Sequence, residues 1–341
     1  MKKSLLALAA LGAFSGVATA QSSVTLYGTI DMAGRYVKID NADRRVSLGT
    51  NGIASSQLGF RGIEDLGGGL KAGFILLADL APIDTGNVGS KFFGRRATVS
   101  LISNTWGELR LGRDYRPDFW NQTIFDAFGT NGLGSSLNVR QVYGGTRADN
   151  SIGYFLPAIG GIYGQVMVAA SEGGTSLDRA GELYSGRIGF AAGPFDVAVA
   201  YGRQRLDLLP GVPDQKTINI GGSWNFGFFK LMGYYDREEI SDSRVQEDMA
   251  SISGVIPFGQ SEVHIGYDRS NATPLIGSDN TVDQFKITYQ YNLSKRTALY
   301  TTGSWLKNHD NARLTFPGAP VDVIPVSGDA KGMEFGIRHF F

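Results

Sequence analysis

The sequence predicts an all-β fold, namely a transmembrane antiparallel β-barrel of sixteen strands. Three observations predict it: apolar and polar residues alternate with a period of two in many segments, short and long connections alternate, and the last strand ends on Phe341. In that strand the apolar positions would face lipid, and they are Met333, Phe335, Ile337 and Phe341. The positions between them would face a polar interior, and they are Glu334, Gly336, Arg338 and Phe340.

The first residues have the pattern of an export signal. Lys2 and Lys3 precede an apolar stretch at 5–17, and the small residues at 18–20 form a cleavage site. The alternative is a membrane anchor, but the apolar stretch is shorter than the roughly 20 residues that a spanning helix needs. We therefore expect residues 1–20 to be a cleaved signal peptide and residues 21–341 to form a single barrel.

The composition limits what the exported chain can be. It contains no cysteine, so disulfides do not hold it together. The whole chain has 32 basic and 32 acidic residues, so removal of the two signal lysines leaves 30 against 32, a net charge of −2 with histidine neutral. This balance gives no reason to expect nucleic acid as a partner. No residue pattern indicates a cofactor or a metal site.

Strands are predicted where the alternation is clear, for example at 24–32, 96–101, 195–201 and 285–291. Beyond the signal, no apolar run approaches the ~20 residues of a spanning helix. Glycine, proline and asparagine mark seven short turns between strands. These turns lie at 65–70, 103–109, 157–161, 191–195, 225–228, 257–260 and 292–297.

Longer polar connections separate the short turns. They lie at 40–54, 79–92, 115–147, 171–182, 206–216, 237–248, 269–281 and 307–330. Seven short turns join two strands each, and one further strand at each terminus gives sixteen. An even count with both termini on the short-turn side is typical of a bacterial outer-membrane barrel, with short periplasmic turns and long external loops. A soluble β-sandwich would also alternate, but it would not separate the loop lengths in this way.

Seven sequence blocks, in order and at suitable spacing, carry a resemblance to a known family. The blocks are SSVTLYGTID at 22–31, LGFRGIEDLGGGLKAGF at 58–74, FGRRATVSL at 93–101, GELRLGRDYRP at 107–117, RADNSIGYFLP at 147–157, YNLSKRTALY at 291–300 and FGIRHFF at 335–341. The chain resembles the trimeric general porins of β-proteobacteria. The resemblance implies a homotrimer in which each copy has its own water-filled pore, narrowed by an inward-folded third loop. The segment ILLADLAP at 75–82 departs from the family by being more apolar than usual.

The third long connection, about 115–147, is the candidate constriction loop. Loops longer than about 12 to 15 residues are usually functional or disordered. This one carries apolar residues that could pack it against an inner wall, and they are Phe119, Trp120, Ile124, Phe125, Phe128 and Leu133. The alternative is an external loop packed on a neighbouring subunit.

The parity of each strand assigns basic residues to the channel wall, because an arginine facing lipid near the midplane of a barrel costs about 2–4 kcal/mol. The assigned residues are Arg35, Arg61, Lys71, Arg96, Arg110, Arg147, Arg187, Lys286 and Arg338. Arg113 has lipid-side parity, and a strand end or bulge after Gly112 would be needed to bring it to the channel. We expect Arg61, Arg96 and Arg147 at the constriction, since each lies in a block that matches the family.

Acidic residues are expected to face these arginines, and they are Asp114, Asp118 and Asp126 on or beside the loop, with Asp31, Glu108 and Glu334 on the wall. A basic wall opposite an acidic loop would set a transverse field across the channel. The excess of arginine on the wall predicts a weak preference for anions. The permeants would be ions and small hydrophilic solutes, and the surrounding partners would be outer-membrane lipid and lipopolysaccharide.

Two other functions are compatible with a barrel. One is a substrate-specific uptake channel, because aromatic and arginine residues in the third loop could also bind one solute. The other is an outer-membrane enzyme, for which the candidate pair is His264 and Asp268. Residues four apart in a strand are roughly 13 Å apart, too far for a direct hydrogen bond, and no nucleophile or zinc motif accompanies them.

Overall fold

The structure is a computed structural model, and it describes residues 23–80, 91–142, 144–171, 181–206, 214–320 and 325–341. The predicted signal peptide lies outside the described residues. The described residues form one sheet of seventeen strand segments, and its strand pairings are antiparallel. The segments are β1 Ser23–Ile39, β2 Arg44–Thr50, β3 Gln57–Gly67, β4 Leu70–Asp79, β5 Arg96–Ser103, β6 Gly107–Tyr115, β7 Arg147–Phe155, β8 Ile162–Ala169, β9 Leu183–Ala192, β10 Phe195–Gln204, β11 Gln215–Asn225, β12 Lys230–Ile240, β13 Gln246–Phe258, β14 Ser261–Thr273, β15 Asn280–Asn292, β16 Thr297–Asn308 and β17 Ala330–Phe340.

The predicted sixteen-stranded barrel is confirmed, because β2 and β3 are two parts of one barrel strand. Both pair with β1, β2 along its outer half and β3 along its first residues. The sheet closes where β1 pairs with β17, from Thr29 opposite Phe340 to Ile39 opposite Ala330. A closed sheet leaves no strand edge unpaired, which is what a strand wall in lipid requires.

The register at the closure differs from the simplest expectation. The sequence predicts that residues 333–341 pair with residues 23–32, but the first residues of β1 pair only with β3, and Asp31 lies opposite Arg338. The cause is the stagger that tilted strands need to close a barrel. The parity is unchanged, so the expected inward and outward faces of β17 hold.

All seven predicted short turns are present at the end of the barrel that holds both termini. Three of the predicted long connections are shorter than expected. Residues 40–54 contain β2, so the external turn there is only 40–43, the turn between β12 and β13 is only 241–245, and the one between β14 and β15 is only 274–279. These segments are polar because strand residues that rise beyond the lipid contact water on both faces.

Apolar side chains cover the outside of the barrel and polar ones line the inside. Val24, Ile218 and Phe335 are more than half exposed on the outward face, while Asp31 and Ser304 are fully buried inside. Among the described residues, no helix has the length and apolar character needed to cross a membrane. The buried apolar cluster lies inside the barrel and joins the wall to the connection that follows β6 and to the one that precedes β17.

Candidate channel constriction

The third loop, residues 116–146, folds into the barrel rather than over its outside. Its regular parts are a 3₁₀ turn at Pro117–Phe119, a short α-helix at Trp120–Ile124 and a second 3₁₀ turn at Ser136–Val139. Three of its apolar side chains are fully buried against inward-facing residues of β10–β16, and they are Phe125, Leu133 and Val139. The predicted inward-folded loop is therefore confirmed.

A first anchor joins the start of the loop to β9–β11. Arg116 and Asp118 form a bidentate ion pair, with Nη2 and Oδ2 2.5 Å apart. The Ser185 hydroxyl of β9 donates to Asp118 Oδ1 at 2.7 Å, and the Asn219 amide of β11 donates to the Asp118 carbonyl at 2.7 Å. Arg187, predicted to face the lumen, donates to Asn121 Oδ1 at 2.5 Å.

A second anchor is an ion triad between the loop and β14–β15. Lys286 Nζ lies 3.0 Å from Asp126 of the loop and 2.9 Å from Asp268, and all three side chains are fully buried. The ammonium group also lies 4.6 Å from the centre of the Phe128 ring. A buried cation needs such partners, because its desolvation is otherwise very costly.

A third anchor joins the end of the loop to β12 and β13. Arg140 forms ion pairs with Asp236 and Glu238, and the backbone N–H groups of Gln141 and Val142 donate to the Glu247 carboxylate. Burial opposes the charge of Arg140, but the surrounding carboxylates outweigh it and raise the pKa of Arg140 well above its ordinary value. The carboxylates therefore stabilise the charged form of the guanidinium group.

These anchors correct the expected charge pattern. Asp118 and Asp126 were expected to face the arginines across the channel, but their side chains are 4% and 0% exposed and point into the wall behind the loop. Asp126 points into the wall because the wall supplies Lys286 as its cation. Asp118 pairs instead with Arg116 of the same loop. The described part of the loop therefore does not present these two carboxylates to the channel.

The other side of the lumen, on β3–β7, carries the arginines. Arg96 and Arg110 both donate to Asp114 at 2.6 Å, and Arg110 also pairs with Glu108 at 2.8 Å. Arg147 donates to the Tyr115 hydroxyl at 3.0 Å and lies over its ring. The five arginines on this side are called the basic face, and they are Arg61, Arg95, Arg96, Arg110 and Arg147.

The predicted residues of β3 and β4 lie nearer the periplasm. Arg61 is exposed, is aligned with Ile75 of β4, and lies over the Tyr27 ring at 5.6 Å from its centre. Arg96 is aligned with Leu77, two residues further from the turn. Lys71 is the second residue of β4, next to the periplasmic turn. Arg61 and Lys71 therefore lie closer to the short turn between β3 and β4 than Arg96 does, and their place at the constriction stays a prediction.

Two predicted wall residues are inside the barrel but buried, contrary to the expectation that they line open channel. Arg35 is 6% exposed and pairs with Glu334 at 2.7 Å. Asp31 is fully buried and accepts hydrogen bonds from three backbone N–H groups of residues 52–54. Their partners come from β17 and from the break between β2 and β3, and neither pairing has a local sequence signal.

Arg113 lies beside the irregularity expected near Gly112. The register between β6 and β7 shifts between Gly112 and Asp114, but the extra residue belongs to β7, because Asp149 and Asn150 both lie opposite Arg113, and β6 keeps a regular register with β5. Arg113 pairs with Asp149 at 2.6 Å and donates to the Gly94 carbonyl at 2.7 Å, apart from the Asp114 cluster. Its place in the channel wall stays a prediction.

The sequence reasoning missed Arg95 as an interior residue. Arg95 lies just before β5, is 11% exposed, and contacts Asp79 at 3.3 Å and the Ser55 hydroxyl at 2.8 Å. It was missed because its partner segment lies at the end of the predicted external connection 40–54. The Asn51-Gly52 pair in that segment is a turn signal that could have separated it from the loop.

Comparisons with known proteins agree with this architecture. Residues 7–311 match the model of a Gram-negative porin family. The chain is 37% identical to outer membrane porin protein 32 of Delftia acidovorans, with all of both chains covered. It is 30% identical to an outer membrane porin of Bordetella pertussis, with 94% of this chain and 99% of the relative covered.

The chain belongs to the Gram-negative porin family. Among solved structures, this porin is similar to the anion-selective porin from Comamonas acidovorans, at 33% identity and a TM-score of 0.81 over 94% of this chain and all of the other. The porin is thus an outer-membrane channel of a Gram-negative bacterium. Channel formation, rather than catalysis, is the function that family and fold support.

Proposed function

We propose that this porin lets ions and small hydrophilic solutes diffuse passively across the outer membrane with a weak preference for anions. The observation that carries the proposal is the distribution of paired and unpaired charged side chains inside the barrel. The loop carboxylates Asp118 and Asp126 are bound in ion pairs. On the basic face, Arg95, Arg96 and Arg110 contact three carboxylates, Asp79, Glu108 and Asp114, while Arg61 and Arg147 lie over tyrosine rings. The surplus positive charge next to water would attract anions.

The similarity to the anion-selective porin from Comamonas acidovorans supports the same proposal. The test is the reversal potential of the purified porin in planar bilayers under a KCl gradient. We expect the sign of an anion-preferring channel, and a smaller potential after Arg96→Ala or Arg61→Ala. A matched control is Arg203→Ala, which removes a cation from the outward face of β10. A cation-selective wild type contradicts the proposal.

We infer that the channel is not an enzyme. The sequence candidates His264 and Asp268 have separate partners: His264 Nδ1 is 2.7 Å from the Ala127 carbonyl, and Asp268 pairs with Lys286. Among the described residues, no group of three side chains is arranged to hold a metal ion. Turnover of phospholipid or peptide by the purified protein, lost in His264→Ala, would contradict this inference.

We also propose that the functional unit is a homotrimer. The support is the resemblance of the whole chain to trimeric porins, with a barrel closed in each copy. Native mass spectrometry of the detergent-solubilised protein should give three times the mass of one mature chain. A stable monomer that conducts with the same selectivity would contradict the proposal.

A further inference from the structure

The second barrel strand carries a large inward bulge. Residue pairing with β1 stops at Thr50 opposite Met32 and resumes at Gln57 opposite Thr29. Between these pairs β1 has two residues, Ile30 and Asp31, whereas the second strand has six, residues 51–56. Four residues are therefore in excess of the ladder, and an ordinary β-bulge has one.

Asp31 holds the bulge on the lumen side of β1. Its carboxylate accepts hydrogen bonds from the backbone N–H groups of Gly52 at 3.1 Å, Ile53 at 2.9 Å and Ala54 at 2.7 Å. Tyr300 of β16 donates its hydroxyl to the same carboxylate. An ionised carboxylate that accepts several such bonds is a strong fixing point, so the bulge is a defined element of the lumen.

The inner side of the bulge contacts the tip of the third loop. The Ser55 hydroxyl lies 2.7 Å from Asn131 Oδ1. Gly132 packs so closely on the bulge that a Cβ atom there would lie 2.1 Å from the Gly52 carbonyl oxygen. The loop tip therefore rests on the bulge.

The same serine contacts the basic face. Arg95 Nη2 donates to Ser55 Oγ at 2.8 Å, and Nη1 of the same guanidinium group donates to Asp79 at 3.3 Å. Ser55 thus lies between the loop tip on one side and an arginine of the basic face on the other. Without the four extra residues, this part of the wall would be a regular β-ladder, and no segment would project inward between Asn131 and Arg95.

We propose that residues 51–56 are a second constriction element of this channel, formed by the barrel wall itself and not by one of the long loops. The bulge closes the space between the loop tip and the basic face, and it holds the Arg95 guanidinium at the channel. Asp31 is a positioning residue for this element, and its charge is used in fixing the bulge. The narrowest part of the channel is then bounded by three parts: the third loop, the bulge and the basic face.

The direct test is deletion of residues 52–55, which leaves Asn51 and Ser56 opposite the two residues of β1. Because conductance follows the narrowest cross-section, we expect single-channel conductance to rise roughly 1.5- to 2-fold, with faster entry of larger sugars in liposome swelling. Heat-dependent electrophoretic mobility should confirm that the barrel has closed. A closed barrel with unchanged conductance and unchanged sugar uptake overturns the proposal.

A matched glycine pair provides a second test that does not shorten the chain. Gly129 and Gly132 have nearly the same positive φ, 58° and 60°, so alanine strains both backbones equally. A Cβ at Gly129 meets nothing closer than 3.7 Å, whereas one at Gly132 meets the bulge at 2.1 Å. We expect Gly132→Ala to change conductance and solute cut-off while Gly129→Ala stays close to wild type. Equal behaviour of the two variants overturns the proposal even where the deletion fails to fold.

Discussion

At the scale of single residues, interior charges differ in whether they are buried with partners or left beside water. Asp126, Lys286 and Arg140 are buried and each has an opposite charge within contact distance, because an unpaired buried charge costs several kcal/mol. Arg96 and Arg147 keep part of their surface in the open lumen and contact Tyr115 as well. We therefore expect this second group to act on a passing ion.

Substitution of Asp114 tests the assignment of the basic face, because the direction of the change in ion selectivity can be predicted. Its carboxylate accepts from both Arg96 and Arg110, so Asp114→Asn leaves two guanidinium groups less compensated. We expect a larger anion preference, measured as a larger reversal potential in a KCl gradient. The control is Asp248→Asn, which removes a carboxylate from the outward face of β13. A shift of the Asp114 variant towards cations would contradict the assignment of the basic face.

Lys286 offers a stability test. Lys286→Met leaves Asp126 and Asp268 buried without their cation, and we expect the free energy of unfolding to fall by about 3–5 kcal/mol. Urea unfolding followed by tryptophan fluorescence measures it. Adding Asp126→Asn and Asp268→Asn to the same variant should recover most of the loss, because the three charges act as one unit. Lys307→Met, at an exposed outward position, is the control.

At the scale of elements, the third loop packs where the wall lacks side chains. A Cβ atom at Gly202 would meet Asp118 at 2.4 Å, and one at Gly221 would meet the Phe125 ring at 2.3 Å. In the same way, a Cβ atom at Gly266 would meet the Phe128 ring, and one at Gly332 would meet the Leu133 side chain. Wall glycines thus form the depressions that receive the loop, and dense packing makes them intolerant of added atoms.

Gly221→Ala tests this packing. The added methyl group would displace Phe125 towards the channel, so we expect a lower single-channel conductance with more frequent brief closures. Gly186→Ala is the control, because a Cβ there meets nothing closer than 3.5 Å. Wild-type traces from the Gly221 variant would mean that the loop adjusts without moving into the channel.

Most elements could be predicted from the sequence, and the exceptions have a common cause. The seven short turns were predicted because glycine and proline mark them. The segment 40–54 was not resolved into strand and bulge, because polar residues beyond the lipid lose the apolar alternation that marks a strand. The bulge depends on Asp31, which is about twenty residues away in the sequence.

At the scale of the whole molecule, the barrel separates two regions of interior charge. The acidic residues of β12–β15 are covered by the third loop and contact Arg140 and Lys286, while the basic face borders the water-filled side. We therefore expect a field from one wall in place of the predicted field between a wall and the loop. Such a field acts on permeating ions over about a Debye length.

Screening gives a prediction for the whole channel. The Debye length falls from about 30 Å at 0.01 M salt to about 3 Å at 1 M. The anion preference, measured as reversal potential at a fixed concentration ratio, should therefore shrink as the mean KCl concentration rises. A preference that does not change with ionic strength would point to selection by direct contact instead of by the field of the basic face.

The sequence by itself determined the barrel, its strand count and its inward and outward faces, whereas the inward path of the third loop was implied by the family resemblance. It could do so because lipid on one side and water on the other act on every second residue, which leaves a local and repeated signal. The tertiary structure alone decided which charges are neutralised and what bounds the channel. Asp126 and Lys286 are 160 residues apart, and pairing over such a distance leaves no local pattern. The same holds for Asp31 and the bulge, so a residue assigned to the channel by parity proved to be a buried support.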